Sequence, residues 1–314
     1  MNQSLYNVEE FDCFKVYKKN NTSQFFHIEM NNSSFYKKLF DYFFSEDNLL
    51  QYAENISSIK FSPTKQNFVT LAKQLKVFID QKNQELSIVE LDDYLKTLLI
   101  NDGRLIDKDG KTGILLDKIG KIGEYIFCCI LSDYFKFDCI IPKVHLQTDY
   151  NMSVYGIDTL YYSKQNDLLL FGESKVSKNI VNGINLINKS LSEYKKQLQD
   201  EFTLVLSDRL LKKSLNVFTQ KFGSVVELCL SIEDFIREAK IKHIGIPIFI
   251  AHGNEIEPEI IFAKLEKIKM QNLFNINTKY FFITLPILDK EIFSKEFTKY
   301  IKEKEDEYEE NARK

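Results

Sequence analysis

Residues 154–176 read VYGIDTLYYSKQNDLLLFGESKV, and this stretch decides the fold. Two segments rich in apolar and aromatic residues, Ser153–Tyr162 and Asp167–Val176, flank the polar turn Ser163–Asn166. So short a connection between two such segments predicts a β-hairpin. Asp158 falls in the first strand and Glu173-Ser174-Lys175 in the second. Strand side chains alternate between faces, so Glu173 and Lys175 share one face while Ser174 takes the other. The hairpin carries Asp158 towards them. Charged groups at the end of the apolar run Leu168–Phe171 are costly to bury unless they pair or hold a cation. Two converging carboxylates with room for water suit Mg²⁺, with Mn²⁺ as a substitute. Such a metal polarises a phosphodiester and acidifies a bound water. Lys175 is then placed to orient that water and to steady developing negative charge.

Outward from the hairpin, helices and strands mix. An amphipathic helix over Ile114–Phe135 and a strand over Phe137–Val144 precede it. A helix over Ser177–Gln199 follows, then mostly helical segments to Ala239. A strand over Ile244–His252, a helix over Glu259–Phe274, a strand over Tyr280–Ile287 and a charged helix over Lys290–Glu310 complete the chain. Upstream, Phe11–Tyr17 and Gln24–Met30 alternate as a hairpin. Helical spacing recurs over Ser33–Phe44, Thr64–Asp80 and Ser87–Asn101. The glycine-punctuated run DGRLIDKDGKTG at 102–113 marks a junction. The expected organisation is an N-terminal α+β region over 1–105, assigned to partner contact, and a second domain over 106–314. The fold class is α/β (α+β), a mixed sheet flanked by helices.

Composition narrows the function classes. The 314 residues carry 42 Lys+Arg against 45 Asp+Glu, a net charge of −3. Nucleic-acid binding would therefore use a local patch rather than the overall charge. One such patch follows the hairpin: residues 175–221 hold nine basic side chains against four acids. It includes Lys178, Lys195 and Lys196, placed to neutralise phosphates beside the carboxylates. A solvated helix face is the plainer reading of the same charges. Five cysteines without a CxxC pair read as buried thiols in a reducing compartment. The N-terminal MNQSLYNVEEFDCF does not read as a signal peptide, and no window approaches the ~20 apolar residues of a membrane helix. The expectation is a cytoplasmic protein without membrane contact. The histidines at 27, 145, 243 and 252 lack metal-ligand spacing. Neither a GxSxG elbow nor a GxxxxGK[ST] loop is present.

Asp158 followed by Glu173-x-Lys175 resembles the D…ExK signature of the PD-(D/E)xK, restriction-endonuclease-like nucleases. The element order helix, strand, D/ExK hairpin, helix, strand is that family's core. The resemblance implies a further helical acid, matched by Glu124 in KIGEYIF, completing a metal set of Asp158, Glu173 and Glu124, with Lys175 catalytic. Tyr194 and Gln197 on the following helix resemble a Gln/Tyr pair of some relatives, in a departed order, and join Lys178, Lys195 and Lys196 as DNA-contact candidates. More narrowly, GEYIF…GID…GESK over residues 105–290 resembles HamA-type subunits of the Hachiman anti-phage systems. That resemblance implies a Mg²⁺-dependent endonuclease acting on DNA beside a superfamily-2 helicase of the HamB type. A catalytically silent module that clamps or regulates a helicase stays open as the alternative.

Overall fold

The computed structural model describes residues 6–19, 24–30, 35–54, 61–79, 105–108, 111–114, 118–142, 159–207, 217–226, 229–253, 257–287 and 290–314. Strands β1 (Tyr6–Phe11), β2 (Phe14–Lys19) and β3 (Gln24–Met30) form an antiparallel meander. Strands β4 (Leu105–Lys108) and β5 (Lys111–Ile114) make a small separate hairpin. A second meander is β6 (Asp138–Pro142), β7 (Thr159–Ser163) and β8 (Leu168–Val176). Strands β9 (His243–His252) and β10 (Asn277–Pro286) join the two meanders into one eight-stranded mixed sheet, ordered β1-β2-β3-β10-β9-β8-β7-β6. Its four central strands, β3, β10, β9 and β8, are mutually parallel. Parallel strands are covered on both faces. That is why β9, HIGIPIFIAH, is almost continuously apolar and buried along its length.

The helices are α1 (Phe35–Phe43), α2 (Glu46–Glu54), α3 (Lys65–Ile79), α4 (Lys118–Cys129), α5 (Ile180–Ser207), α6 (Val217–Val226), α7 (Ile232–Glu238), α8 (Pro258–Leu265) and α9 (Lys290–Arg313). They build two cores, one per sheet face. On the first, Leu168 and Leu170 of β8 pack with Ile122, Tyr125 and Ile126 of α4 and with apolar residues of α1, α3 and α9. On the second, Leu169 and Phe171 of β8 pack with Ile184, Ile187 and Leu191 of α5. The alternation of β8 across the two cores fixes the direction of every later side chain on that strand.

Several sequence expectations change in detail. The N-terminal hairpin is a three-stranded meander, its first turn made possible by Asp12 at φ 50. The segment Lys111–Ile114 is a strand, so the helix expected from Ile114 runs from Lys118 and ends in a π-helical turn, Ile130–Tyr134. Helix α5 extends to Ser207, beyond the expected Gln199. Helix α8 stops at Leu265 rather than Phe274. Beyond it α5 takes over the backbone: the Asn188 carboxamide binds Lys267 O and Lys269 N, and Gln271 donates to Leu191 O. The helix expected at Ser87–Asn101 lies outside the described residues.

The boundary expected near residue 105 divides neither the sheet nor the core. Strand β3 is hydrogen-bonded to β10, and α3 packs along α9, so residues from both sides of that boundary interlock. Among the described residues, no helix is long and apolar enough to cross a membrane.

Candidate active site

Strand β8 carries the candidate carboxylate and amine to its C-terminal half, where the central strands leave the sheet. The register of β8 on β9 keeps one offset from Leu169↔Ile244 to Val176↔Ala251. Glu173 and Lys175 therefore point, like Leu169 and Phe171, to the α5 face. Glu173 is 2 % exposed. Lys175 Nζ lies 2.5 Å from Glu173 Oε1, and its side chain stays 29 % exposed. The pair expected from strand alternation is formed. A buried carboxylate this close to an ammonium is a site built for positive charge.

The strand exits around this pair are tied together. Ser177 N donates to Ala251 O at 2.9 Å, Gly253 N donates to Lys178 O at 3.2 Å, and Ile287 N donates to His252 O. Helix α5 starts directly above. The Asn179 side chain accepts from Asn182 N at 2.9 Å and caps it. Gly183 lets the helix settle on the sheet, since a Cβ there would run into Ile250, the strand partner of Lys175.

Glu124 arrives from the other side. Helix α4 packs on the first face, where Phe127 stacks on Phe249 at 5.6 Å. Its close approach rests on Gly123, whose missing side chain leaves room for a Val176 methyl. Glu124, half-buried, follows Gly123 on this turn of α4. Asp158 lies outside the described residues. Its chain neighbour Thr159 pairs with Gly172, the neighbour of Glu173.

The DNA-contact candidates separate. Lys178 sits exposed at the exit of β8. Helix α5 then descends the strand, level with Lys175 at Gly183 and with Phe171 at Tyr194. Lys195 and Lys196 are exposed on its outer side at that lower level, Lys195 with its ammonium 5.6 Å over the Phe274 ring. Gln197 is half-buried. Tyr194 is a correction. It is fully buried, and its hydroxyl donates to Phe171 O at 2.9 Å. It anchors helix to strand and has no surface to offer DNA.

The sheet also aligns residues that sequence spacing did not connect. Lys175, Ile250, Thr284 and His27 form one row across β8, β9, β10 and β3. His27 and His252 are fully buried, with rings 6.4 Å apart, and His27 Nδ1 is hydrogen-bonded to Thr284 Oγ1 at 2.9 Å. No local pattern could reveal this row, because it depends on strand order.

The Glu173 carboxylate, an oxygen donor on the α5 face with an ammonium already paired to it, fits a hard divalent cation better than zinc. Among the described residues no group of three or more His, Cys, Asp or Glu converges as a metal shell. The remaining donor the sequence assigns is Asp158.

A family model named HamA matches residues 4–301. The chain belongs to the HamA family. The match begins well before residue 105, so the family extends through the N-terminal meander. HamA membership makes the chain a component of the Hachiman defence system. No curated protein matches it.

Proposed function

We propose that this HamA-family chain is the Mg²⁺-dependent DNA endonuclease subunit of its defence complex and works beside a superfamily-2 helicase. One observation carries the reading: a buried carboxylate, Glu173, paired at 2.5 Å with Lys175 at the end of a parallel strand. A scaffold gains little from burying such a pair, because apolar side chains of similar volume do as well or better. Glu173 with Asp158, joined by Glu124 if it reaches round the end of β8 from the α4 face, would hold Mg²⁺, which would polarise the scissile phosphate and acidify a bound water.

The chain's own groups supply the rest. Glu173 is shielded from bulk water, which strengthens its pull on any cation beside it. Lys175, partly open to solvent, can turn from Glu173 towards an attacking water or a phosphate oxygen. Its compact ammonium suits that move better than a planar guanidinium. The interlocked strand exits hold both groups still, and Lys178 beside them offers charge to the DNA backbone.

The test is nicking of supercoiled plasmid by the chain together with its helicase, in Mg²⁺ and in EDTA. Wild type cuts only with Mg²⁺. Glu173→Gln is inactive. Lys175→Ala is slower by at least ~10²-fold, the scale of one acid–base or electrostatic group. Wild-type cutting by both variants would overturn the site assignment. No cutting by wild type with helicase and DNA present would leave the silent module as the reading.

A further inference from the structure

At the opposite end of the sheet, on the first face, lies a cleft of about 310 Å³. That is the small end of the range of ligand pockets, roughly 300–1,000 Å³. Its walls are rings. Phe26 stands edge-on to Phe135 at 4.8 Å, and Tyr134 edge-on to Phe135 at 4.8 Å, while Phe281 closes the floor 6.2 Å from Phe135. Phe26 and Phe281 are buried, whereas Tyr134 and Phe135 keep part of their surface open.

The irregular end of α4 aims these two rings. The π turn closes with Phe135 N donating to Ile130 O at 3.2 Å, and Lys136 at φ 54 sends the chain away. An α-helix would turn consecutive side chains about 100° apart. Here both line one cleft. Single π turns inside helices recur at functional sites.

The mouth is charged. Lys18 sits 5.6 Å over the Tyr134 ring and 6.0 Å over Phe26, and its ammonium pairs with Glu9 at 2.7 Å. The Tyr134 hydroxyl donates to the same carboxylate. Lys279, exposed on β10, completes the rim. Flat apolar walls with two ammonium groups against one carboxylate at the opening, a net positive mouth, suit a ligand with a planar body and an anionic tail. Aromatic side chains bind unstacked bases in this way, without regard to sequence.

We infer that this cleft binds a nucleobase whose attached phosphate is held by Lys279 and Lys18, as a free nucleotide or as one unpaired residue of a single strand. The site is separate from Glu173 and independent of cleavage.

The full chain in EDTA is photolabelled with 8-azidoadenosine monophosphate, and the modified peptides are mapped. Labelling is expected within residues 134–137 or on the facing strands around Phe26 and Phe281, and competition by adenosine monophosphate removes it. Calorimetry with the same nucleotide gives the affinity. Lys279→Ala, a surface change that leaves the rings alone, weakens the nucleotide several-fold but leaves the phosphate-free nucleoside unchanged. Tyr134→Phe keeps the wall and retains binding, whereas Tyr134→Ala loses roughly tenfold or more, the scale of one base–aromatic stack. A short single strand that binds more tightly than the mononucleotide, and also weakens in Lys279→Ala, assigns the occupant to nucleic acid. Equal or weaker binding assigns it to a free nucleotide. Labelling only elsewhere, or equal weakening of nucleoside and nucleotide in Lys279→Ala, would overturn the inference. Since the readout is binding without metal, its failure leaves the Glu173 reading untouched, and the reverse holds too.

Discussion

Removing the Lys175 ammonium tests the central pair most directly. Glu173 is 3 % exposed at its side chain and Lys175 29 %. Breaking a buried ion pair from one side costs roughly 3–5 kcal/mol, because a charge is left stranded. Partial solvation of the lysine lets water reach the gap, so Lys175→Ala is expected to cost about 2 kcal/mol in the metal-free protein. At roughly 2 °C per kcal/mol, the low end for a chain of 314 residues, the melting temperature falls by about 4 °C. Glu173→Gln costs less, because Lys175 can turn to solvent. The double variant Glu173→Gln/Lys175→Ala recovers most of the loss, a coupling of at least ~1 kcal/mol. Urea unfolding in EDTA measures all four proteins. Additivity of the two single changes within ~0.5 kcal/mol would refute the pairing. A second arm adds millimolar Mg²⁺. A cation replacing the lost ammonium stabilises Lys175→Ala more than wild type and leaves the double variant unchanged. Equal responses in all four would refute the metal assignment while sparing the pair.

Gly123→Ala should destabilise by about 1–3 kcal/mol through overpacking against Val176, and adding Val176→Ala should remove that penalty in urea unfolding. Lys221 first, and then the Tyr162 hydroxyl, hold the Asp167 carboxyl below its ordinary value. That contribution is present above the ordinary carboxylate range and is lost as pH falls through the lowered one. The pair is exposed, so Asp167→Asn should cost under ~1 kcal/mol at pH 7 and nothing near pH 2, by the same assay. Burial pushes the Cys13 thiol up to about 11 and Cys139 to about 12, and Cys128 also upward. Thiol labelling at pH 8 should therefore be slow at these three until the protein unfolds. A fragment of residues 105–314 strips β3 from β10 and α3 from α9. It should lack a cooperative melt by circular dichroism.

The hairpin of Thr159–Val176 was legible because its signals are local: apolar alternation, a polar turn and the GESK end. The apolar strands β9 and β10 were legible for the same reason. Strand order was not. Nothing near Gln24–Met30 says that its partner is Phe281–Thr284, so the N-terminal meander read as a separate layer. The β4–β5 hairpin was missed although Asp109-Gly110 is a hairpin dipeptide. The glycines around it were read as a junction instead. At the candidate site, Glu173 and Lys175 fell where alternation placed them. Tyr194 misled, because a tyrosine at helical spacing reads alike whether its hydroxyl meets solvent or, as here, a strand carbonyl. The histidine row and the aromatic cleft draw on three or four distant strands and left no local trace.

The pairing of β3 with β10 spans 257 residues of chain between His27 and Thr284. On a ribosome adding roughly 5–20 residues per second, the second partner follows the first by about 13–50 seconds. Through that interval β3 keeps one edge vacant, waiting for β10. Contacts of such sequence separation also slow folding itself. Strand β8 has both its neighbours, β7 and β9, once synthesis passes His252, so the order of translation completes the Glu173 side of the sheet first and joins it to the N-terminal meander only near Pro286.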